Sequence, residues 1–350
     1  MTLGKASTIE IVQPPPKERG LLEVEDLAVS VTTDRGGANA VDGISLQVRH
    51  GEAVGLVGES GSGKSLTLRA ILRLLPAGAS ISGGRVWFEG VDLLGVDSAT
   101  MRSVRGQGIA MVLQDPLTGL NPVMRVGEQI VDAARHRQGW SRAEAREQAI
   151  RMARRMGIQD AESCLALYPH ELSGGLRQRV MIAAALACQP RLILCDEPTT
   201  ALDVTIQDQI VRLLARLRGE MNMSLLYVTH DLAVVAQFCQ RVEVMYSGHI
   251  VEAGPVSEVF RTPLHPYTQG LLRATPDIDA SKKRLQGIPG FAPSPLSRPS
   301  GCAFRTRCEF ADKECETGSF PLRVVGSNRS SACIHFDRMR PSRETPKISE

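Results

Sequence analysis

The chain has 350 residues, 43% apolar and 23% charged, the balance of a soluble globular protein too long for one small domain. Its 41 Lys and Arg against 38 Asp and Glu leave a formal charge of +3, too small to point to a nucleic-acid partner. No stretch approaches the roughly 18–20 apolar residues of a membrane span, and the first residues lack the apolar core of a secretion signal, so a cytoplasmic chain is expected, with any membrane role reached through a partner.

Residues 1–20, with Pro14, Pro15 and Pro16 at their centre, read as a flexible lead. Leu22-Glu-Val-Glu and Ile44-Ser-Leu-Gln-Val then alternate apolar and polar residues, as half-exposed antiparallel strands do. Ala53-Val-Gly-Leu-Val57 is almost wholly apolar and suits a strand buried on both faces; residues 192–195 and 224–229 share that character. The stretch from about 115 to 190 reads as helical. Ser141 and Glu144 form a capping-box pattern, Ala149, Ile150, Ala153 and Met156 then fall on one helical face, and Gly157 ends that helix. The apolar run 180–187 is long enough only for a buried helix. Buried strands alternating with helices predict an α/β fold around a mostly parallel sheet.

After the strand 53–57, the residues Gly58, Glu59, Ser60, Gly61, Ser62, Gly63, Lys64 and Ser65 fit G-x-x-x-x-G-K-[ST], and a helical run follows. The glycines let backbone N–H groups turn inward around phosphates, and the helix N-terminus adds partial positive charge there. Lys64 is placed to reach the β- and γ-phosphates, and the Ser65 hydroxyl to ligate Mg²⁺. The strand 192–195 ends in Asp196 and Glu197. Alone, that pair would read as an exposed turn before Pro198. Beside a phosphate loop, Asp196 is expected to hold Mg²⁺ through water and Glu197 to take a proton from the attacking water. The expectation is hydrolysis of Mg-ATP.

Leu172-Ser-Gly-Gly-Leu-Arg-Gln-Arg179 is the most specific feature. Ser173, Gly174 and Gly175 at a helix start make a second anion-binding terminus. One chain does not need two for one ATP, but a nucleotide sandwiched between two subunits does. Here the chain resembles the ATP-binding subunits of ABC transporters, over about residues 21–260. Residues 172–179 look like their signature motif, 58–65 their Walker A and 192–196 their Walker B. Gln114 in Val-Leu-Gln-Asp-Pro sits as the Q-loop glutamine, Ala201-Leu-Asp203 resembles the D-loop, and His230 matches the switch histidine. The resemblance implies a P-loop NTPase core with an antiparallel β-subdomain and a helical subdomain at about 115–190. It further implies that Gln114 senses Mg²⁺ and the water, that Ser173 and Gly175 contact the γ-phosphate held by the opposite subunit, that Asp203 bridges the two sites, and that His230 touches the γ-phosphate. One departure stands out: the family stacks adenine on an aromatic residue upstream of Walker A, and Val31 occupies that position here.

A break falls near residues 255–266, and beyond it Pro, Gly and Ser are frequent up to Ser300. This reads as an appended region, residues 261–340, rather than more sheet, with a tail over 341–350. Its Leu264-His-Pro-Tyr resembles the dipeptide, oligopeptide and nickel importer branch, although His265-Pro-Tyr alone is a plain turn before a helix. Cys164, Cys188, Cys195 and Cys239 are scattered and read as small core residues, whereas Cys302, Cys308, Cys315 and Cys333 crowd together with spacing C-x5-C-x6-C-x17-C. In a reducing compartment a disulfide framework is not expected. The spacing misses the C-x2–4-C opening of structural zinc sites, and the branch resemblance points to a [4Fe-4S] cluster; zinc and unligated thiols stay open. Arg305, Arg307 and Lys313 read either as counter-charges to thiolates or as a solvated basic face. With the ATPase motifs so far upstream, a structural or sensing role is expected for this site.

The leading reading is therefore the energy-coupling ATPase of a di- or oligopeptide importer, with the same role in a nickel or other small-solute importer as the alternative. The resemblance implies a second, related ATPase subunit, two transmembrane permease subunits, an extracytoplasmic solute-binding protein reached through the permease, and a place on the cytoplasmic face of the inner membrane. Two other readings are a soluble ABC-type ATPase acting on ribosomes or DNA, and a regulator that holds ATP without turnover. The first lacks a second cassette or a basic stripe here; the second conflicts with the presence of Glu197 and His230.

Overall fold

The computed structural model describes residues 20–33, 36–200, 202–275, 287–326 and 328–339. Most of the expected N-terminal lead, residue 201 of the D-loop motif and the tail from 341 lie outside them. Among the described residues, no helix is long and apolar enough to cross a membrane.

The two alternating segments form β1 (Leu22–Thr33) and β2 (Gly36–Val48), paired antiparallel. The wholly buried β3 (Ala53–Val57) runs through the glycine loop into α1 (Lys64–Ile71). β4 (Ala79–Phe88) returns to pair with β1, and β5 (Val91–Asp92) closes a four-stranded sheet in the order β2-β1-β4-β5. α2 (Ser98–Ser103), capped by the Asp97 carboxylate, precedes β6 (Ile109–Val112). A helical layer follows: α3 (Pro116–Gly119), α4 (Val126–Gln138), α5 (Arg142–Arg155), α6 (Ala161–Leu165) and α7 (Gly174–Ala187). The capping box at the start of α5 is present, with both Ser141–Glu144 hydrogen bonds made, and the chain leaves that helix through Gly157 at φ 75°.

β7 (Leu192–Asp196), α8 (Val204–Met221), β8 (Ser224–Thr229), α9 (Leu232–Phe238), β9 (Arg241–Tyr246) and β10 (His249–Pro255) complete the core, and α10 (Val256–Arg261) and α11 (Pro266–Ala274) lead away from it. β3 lies between β8 and β9 and pairs parallel with both, while β7 pairs parallel with β6 and β8. The period-2 alternation of strand side chains divides each apolar run between two cores. Val54, Leu56, Leu192, Leu194, Leu226 and Val228 pack with β1, β2 and α1 on one face. Ala53, Val57, Ile193, Cys195, Leu225 and Tyr227 pack with the helical layer on the other. Cys164, Cys195 and Cys239 are buried in this second core, and Cys188 is buried as well.

The C-terminal region corrects one expectation. It does contribute sheet: β11 (Arg323–Val324) and β12 (Ser330–Ser331) extend the core sheet to the order β11-β12-β10-β9-β3-β8-β7-β6. Two-residue strands carry no periodicity, so nothing in the sequence marks them. β12 pairs antiparallel with β10 through Glu252 and Ala253. Buried Glu252 ties the region down further, accepting the Leu264 and His265 N–H groups at 2.8 and 3.0 Å and pairing with Arg329 at 2.9 Å.

Candidate active site

Chain direction alone brings β3, β7 and β8 to one end of the sheet, where the loops after them meet. In the loop after β3, Gly58 sits at φ 156° and Gly63 at φ 108°. A Cβ on Gly58 would lie 2.1 Å from the Met245 carbonyl oxygen, and one on Gly63 would lie 2.9 Å from that of Ala40. Only glycine lets the loop press against β9 and β2 this closely. Lys64 closes the loop on itself, its Nζ donating to the carbonyls of Gly58 at 2.8 Å and Glu59 at 2.9 Å. Burial pulls the Lys64 ammonium below its usual pKa, an effect opposed by Glu197, Asp196 and Glu59. The Ser62 hydroxyl is buried without a protein hydrogen-bond partner.

The Ser65 hydroxyl donates to Asp196 Oδ1 at 2.6 Å, so the two side chains expected around Mg²⁺ already converge. Burial raises the Asp196 pKa, and the Ser65 hydrogen bond works against that rise. Glu197, just past the end of β7, adopts φ 44°, an uncommon conformation for a non-glycine residue. Its N–H donates to the Val228 carbonyl of β8 at 3.0 Å. Its Oε2 accepts the Thr200 hydroxyl at 2.8 Å and lies 3.1 Å from His230 Nδ1, and its Oε1 stands 4.0 Å from Lys64 Nζ. Glu197 is thus aimed back over the loop, beside the cation that would meet the γ-phosphate.

The four clustered cysteines line one small cavity with Phe304, Phe310, Phe320, Ile334 and His265. Burial raises the Cys302 thiol pKa, pushes Cys308 up to about 11 and Cys333 up to about 12. His265 caps α11, its Nδ1 accepting the Tyr267 N–H at 3.1 Å, so the turn-before-a-helix reading holds. Two other expectations fail here. Arg307 is neither a solvated cation nor turned to the thiols: its guanidinium grips Glu59 of the phosphate loop at 2.6 and 2.9 Å. The cysteine lobe is also not remote from the ATPase motifs, because the fold brings it under residues 58–65. Tyr267 reaches the same place, its hydroxyl accepting the Glu59 N–H at 2.7 Å.

The family model of ABC transporters matches residues 41–200, and that of the oligopeptide/dipeptide transporter C-terminal region matches residues 251–315. A protein of Brucella abortus (strain 2308), bearing the name of a peptide import ATP-binding protein, is 47% identical over 317 residues, 91% of this chain and 95% of that one. A second from the same strain is 47% identical over 331 residues, covering 91% and 98%. This chain belongs to the ATP-binding proteins of ABC transporters. Among solved structures, a dimeric ATP-binding cassette in a post-hydrolysis state, bound to ADP and Pi, aligns with a TM-score of 0.61 at 28% identity, covering 67% of this chain and 98% of that one. A Clostridium perfringens component of an ABC transporter complex aligns at 0.60 and 28%, covering 70% and 92%.

The remaining ABC motifs occupy separate places. Gln114 is exposed two residues beyond β6, whose Val112 pairs with Cys195 beside the Asp196 end of β7. Ser173 caps α7, its hydroxyl accepting the Leu176 N–H at 3.4 Å. α7 belongs to the helical layer, with Ser173, Gly174 and Gly175 at its N-terminal end. Their neighbours are the D-loop and α8: a Cβ on Gly175 would meet Ile206 at 3.3 Å. Asp203 caps α8, accepting the Ile206 N–H at 2.9 Å. Sequence reasoning missed Arg307 and Tyr267 as neighbours of the nucleotide loop. The one signal available was an arginine beside a cysteine, which does not say what it faces.

Proposed function

We propose that this chain is the energy-coupling ATPase of an importer for di- or oligopeptides. The observation that carries the reading is the match to the oligopeptide/dipeptide transporter C-terminal region on a chain that also matches the ABC transporter family. Relatives named for peptide import, alike over 91% of the chain, support the same solute class. In this reading, residues 58–65 cradle the phosphates and Lys64 neutralises the γ-phosphate. Ser65 and Asp196 hold Mg²⁺, for which their convergence at 2.6 Å is a fitting start. Glu197 is the general base, with His230 and Thr200 fixing its carboxylate. Gln114 senses the ion and water; Ser173, Gly174, Gly175 and Asp203 serve the nucleotide on a second, related ATPase subunit.

Cys302, Cys308, Cys315 and Cys333 are proposed to hold a [4Fe-4S] cluster. The donor set fits: four thiols line one cavity walled by phenylalanines. A tetrahedral zinc would draw its ligand atoms to about 3.8 Å from one another; the one group within 4.8 Å among the described residues is Asp312, Cys315 and His335, which includes one of the four cysteines. When bound, such a cluster would supply a rigid four-point anchor and a one-electron couple. The complex would add two transmembrane permease subunits and an extracytoplasmic solute-binding protein, with this chain at the cytoplasmic face of the inner membrane.

Anaerobic purification of the native membrane complex tests the proposal. Mass spectrometry is expected to find two permease subunits, a second ATPase and a bound peptide, and iron and sulfide assays to find about four of each per cysteine site. Recovery with nickel and no peptide would overturn the solute class, and stoichiometric zinc without iron would overturn the cluster.

A further inference from the structure

Glu59 puts a carboxylate inside a loop built to receive an anion. A negative charge there opposes phosphate binding unless it is cancelled. The cancelling charge comes from the cysteine lobe. Arg307, in the single turn between Cys302 and Cys308, gives both Nη atoms to the two oxygens of Glu59 at 2.6 and 2.9 Å. The guanidinium is itself fixed, with Nε donating to the Pro289 carbonyl at 2.8 Å and only 4% of the side chain exposed. It lies against Tyr246 and Phe304, whose rings, with Tyr267, form one aromatic cluster with centroids 4.6–5.4 Å apart. Tyr267 takes the Glu59 N–H, and Lys64 takes its carbonyl. Each polar group of Glu59 is therefore held, two of them by residues after position 260.

We propose that Arg307 is a positioning residue of the nucleotide site: it cancels the charge of Glu59 and, with Tyr267, holds the first turn of the phosphate loop in its receptive shape, so that the cysteine lobe sets ATP affinity. This goes beyond the importer role and rests on the ATPase reading alone. A bidentate, charge-assisted pair with a buried guanidinium suits that task. A plain staple between lobe and core would instead affect stability and leave nucleotide affinity alone.

The test uses the assembled importer complex carrying Arg307→Ala, Glu59→Gln and the double variant, with kcat and KM for ATP measured for each. Arg307→Ala is expected to raise KM about tenfold with kcat changed less than about threefold. Adding Glu59→Gln to Arg307→Ala is expected to restore most of that loss, because the uncancelled charge is then gone. Arg307→Lys, which keeps the charge but loses the two-pronged grip, should fall between Arg307→Ala and the wild type. A wild-type KM in Arg307→Ala, or a double variant no better than Arg307→Ala, would overturn the inference. Should Arg307→Ala fail to assemble, Arg307→Gln fills similar space and replaces it with the same expected pattern. A wild-type complex that does not bind ATP would sink the ATPase reading itself, a result distinct from any of these.

Discussion

Glu197 Oε2 lies 3.1 Å from His230 Nδ1, across the gap between the ends of β7 and β8. A carboxylate only accepts, so Nδ1 is the donor in this contact. The Thr200 hydroxyl donates to the same oxygen at 2.8 Å, which leaves Oε1, 4.0 Å from Lys64 Nζ, as the atom with free capacity on the phosphate side. The backbone of Glu197 at φ 44° gives the side chain this direction. Such conformations persist where the surroundings fix them, and here the Val228 carbonyl does so.

Glu197→Gln keeps the shape and removes the base. Turnover should fall about a hundred- to ten-thousand-fold, while ATP still binds and clamps two ATPase subunits. Single-turnover hydrolysis and a fluorescent-nucleotide titration on the same complex would check both halves. Near-wild-type turnover would take the base assignment away from Glu197. His230→Ala should cost less in binding than in rate, because the imidazole meets the carboxylate rather than the loop.

Gly58→Ala tests the loop's dependence on close approach. The added methyl would fall 2.1 Å from the Met245 carbonyl, at a φ of 156°. Backbone atoms cannot yield as a flexible side chain does, so the loop or β9 must shift, at a cost above about 2 kcal/mol. ATP binding should be lost while the central sheet keeps its fold; protection of β7 and β8 amides in hydrogen exchange would report that. Retained ATP affinity in this variant would contradict the packing described.

The strands of the core were legible because each is a short apolar run whose alternate residues face different cores, and Val54 and Leu56 against Ala53 and Val57 illustrate the division. The catalytic end was legible because a glycine loop, a strand ending in Asp196 and Glu197, and His230 after a third strand are local patterns. Arg307 was not legible. It stands 248 residues from Glu59, and only the docking of the C-terminal lobe on β10 brings the two together. An arginine flanked by cysteines has the same local pattern whether it faces solvent, a cluster or a distant carboxylate. β11 and β12 escaped for a related reason, since their pairing is tertiary.

Glu243 in β9 offers a pH test of the sheet. It is 2% exposed and pairs with Arg241 at 2.7 Å. Burial nevertheless pushes its pKa up to about 7, against 4.5 for the unfolded chain. Between those values the folded protein keeps a proton that the unfolded chain has released, so this contribution to stability is full below about 4.5 and is lost as pH rises through 7. Glu243→Gln has no proton to lose. Its stability relative to wild type should therefore climb by roughly 3 kcal/mol between pH 4.5 and 8. Urea unfolding of both proteins at pH 5 and pH 8 measures the difference, and an equal separation at the two values would refute the buried, protonated carboxyl.

Val31 carries the last prediction. It lies in β1, paired with Ala38 on one side and Ala79 on the other, and it is partly exposed. The family resemblance implies an aromatic ring stacked on adenine near this position; a valine offers only a small apolar surface. Stacking on a ring is worth about 0.5–1.5 kcal/mol beyond area burial, so Val31→Tyr should lower the KM for ATP by about threefold to tenfold. Pyrimidine triphosphates present a smaller ring and should gain less, so the variant should also favour ATP over CTP more than the wild type does. The two neighbouring alanines leave room for the larger side chain without displacing another ring. Unchanged ATP and CTP constants in a folded Val31→Tyr variant would mean that the base is held away from β1, and that the adenine end of this site departs from the family more deeply than one residue.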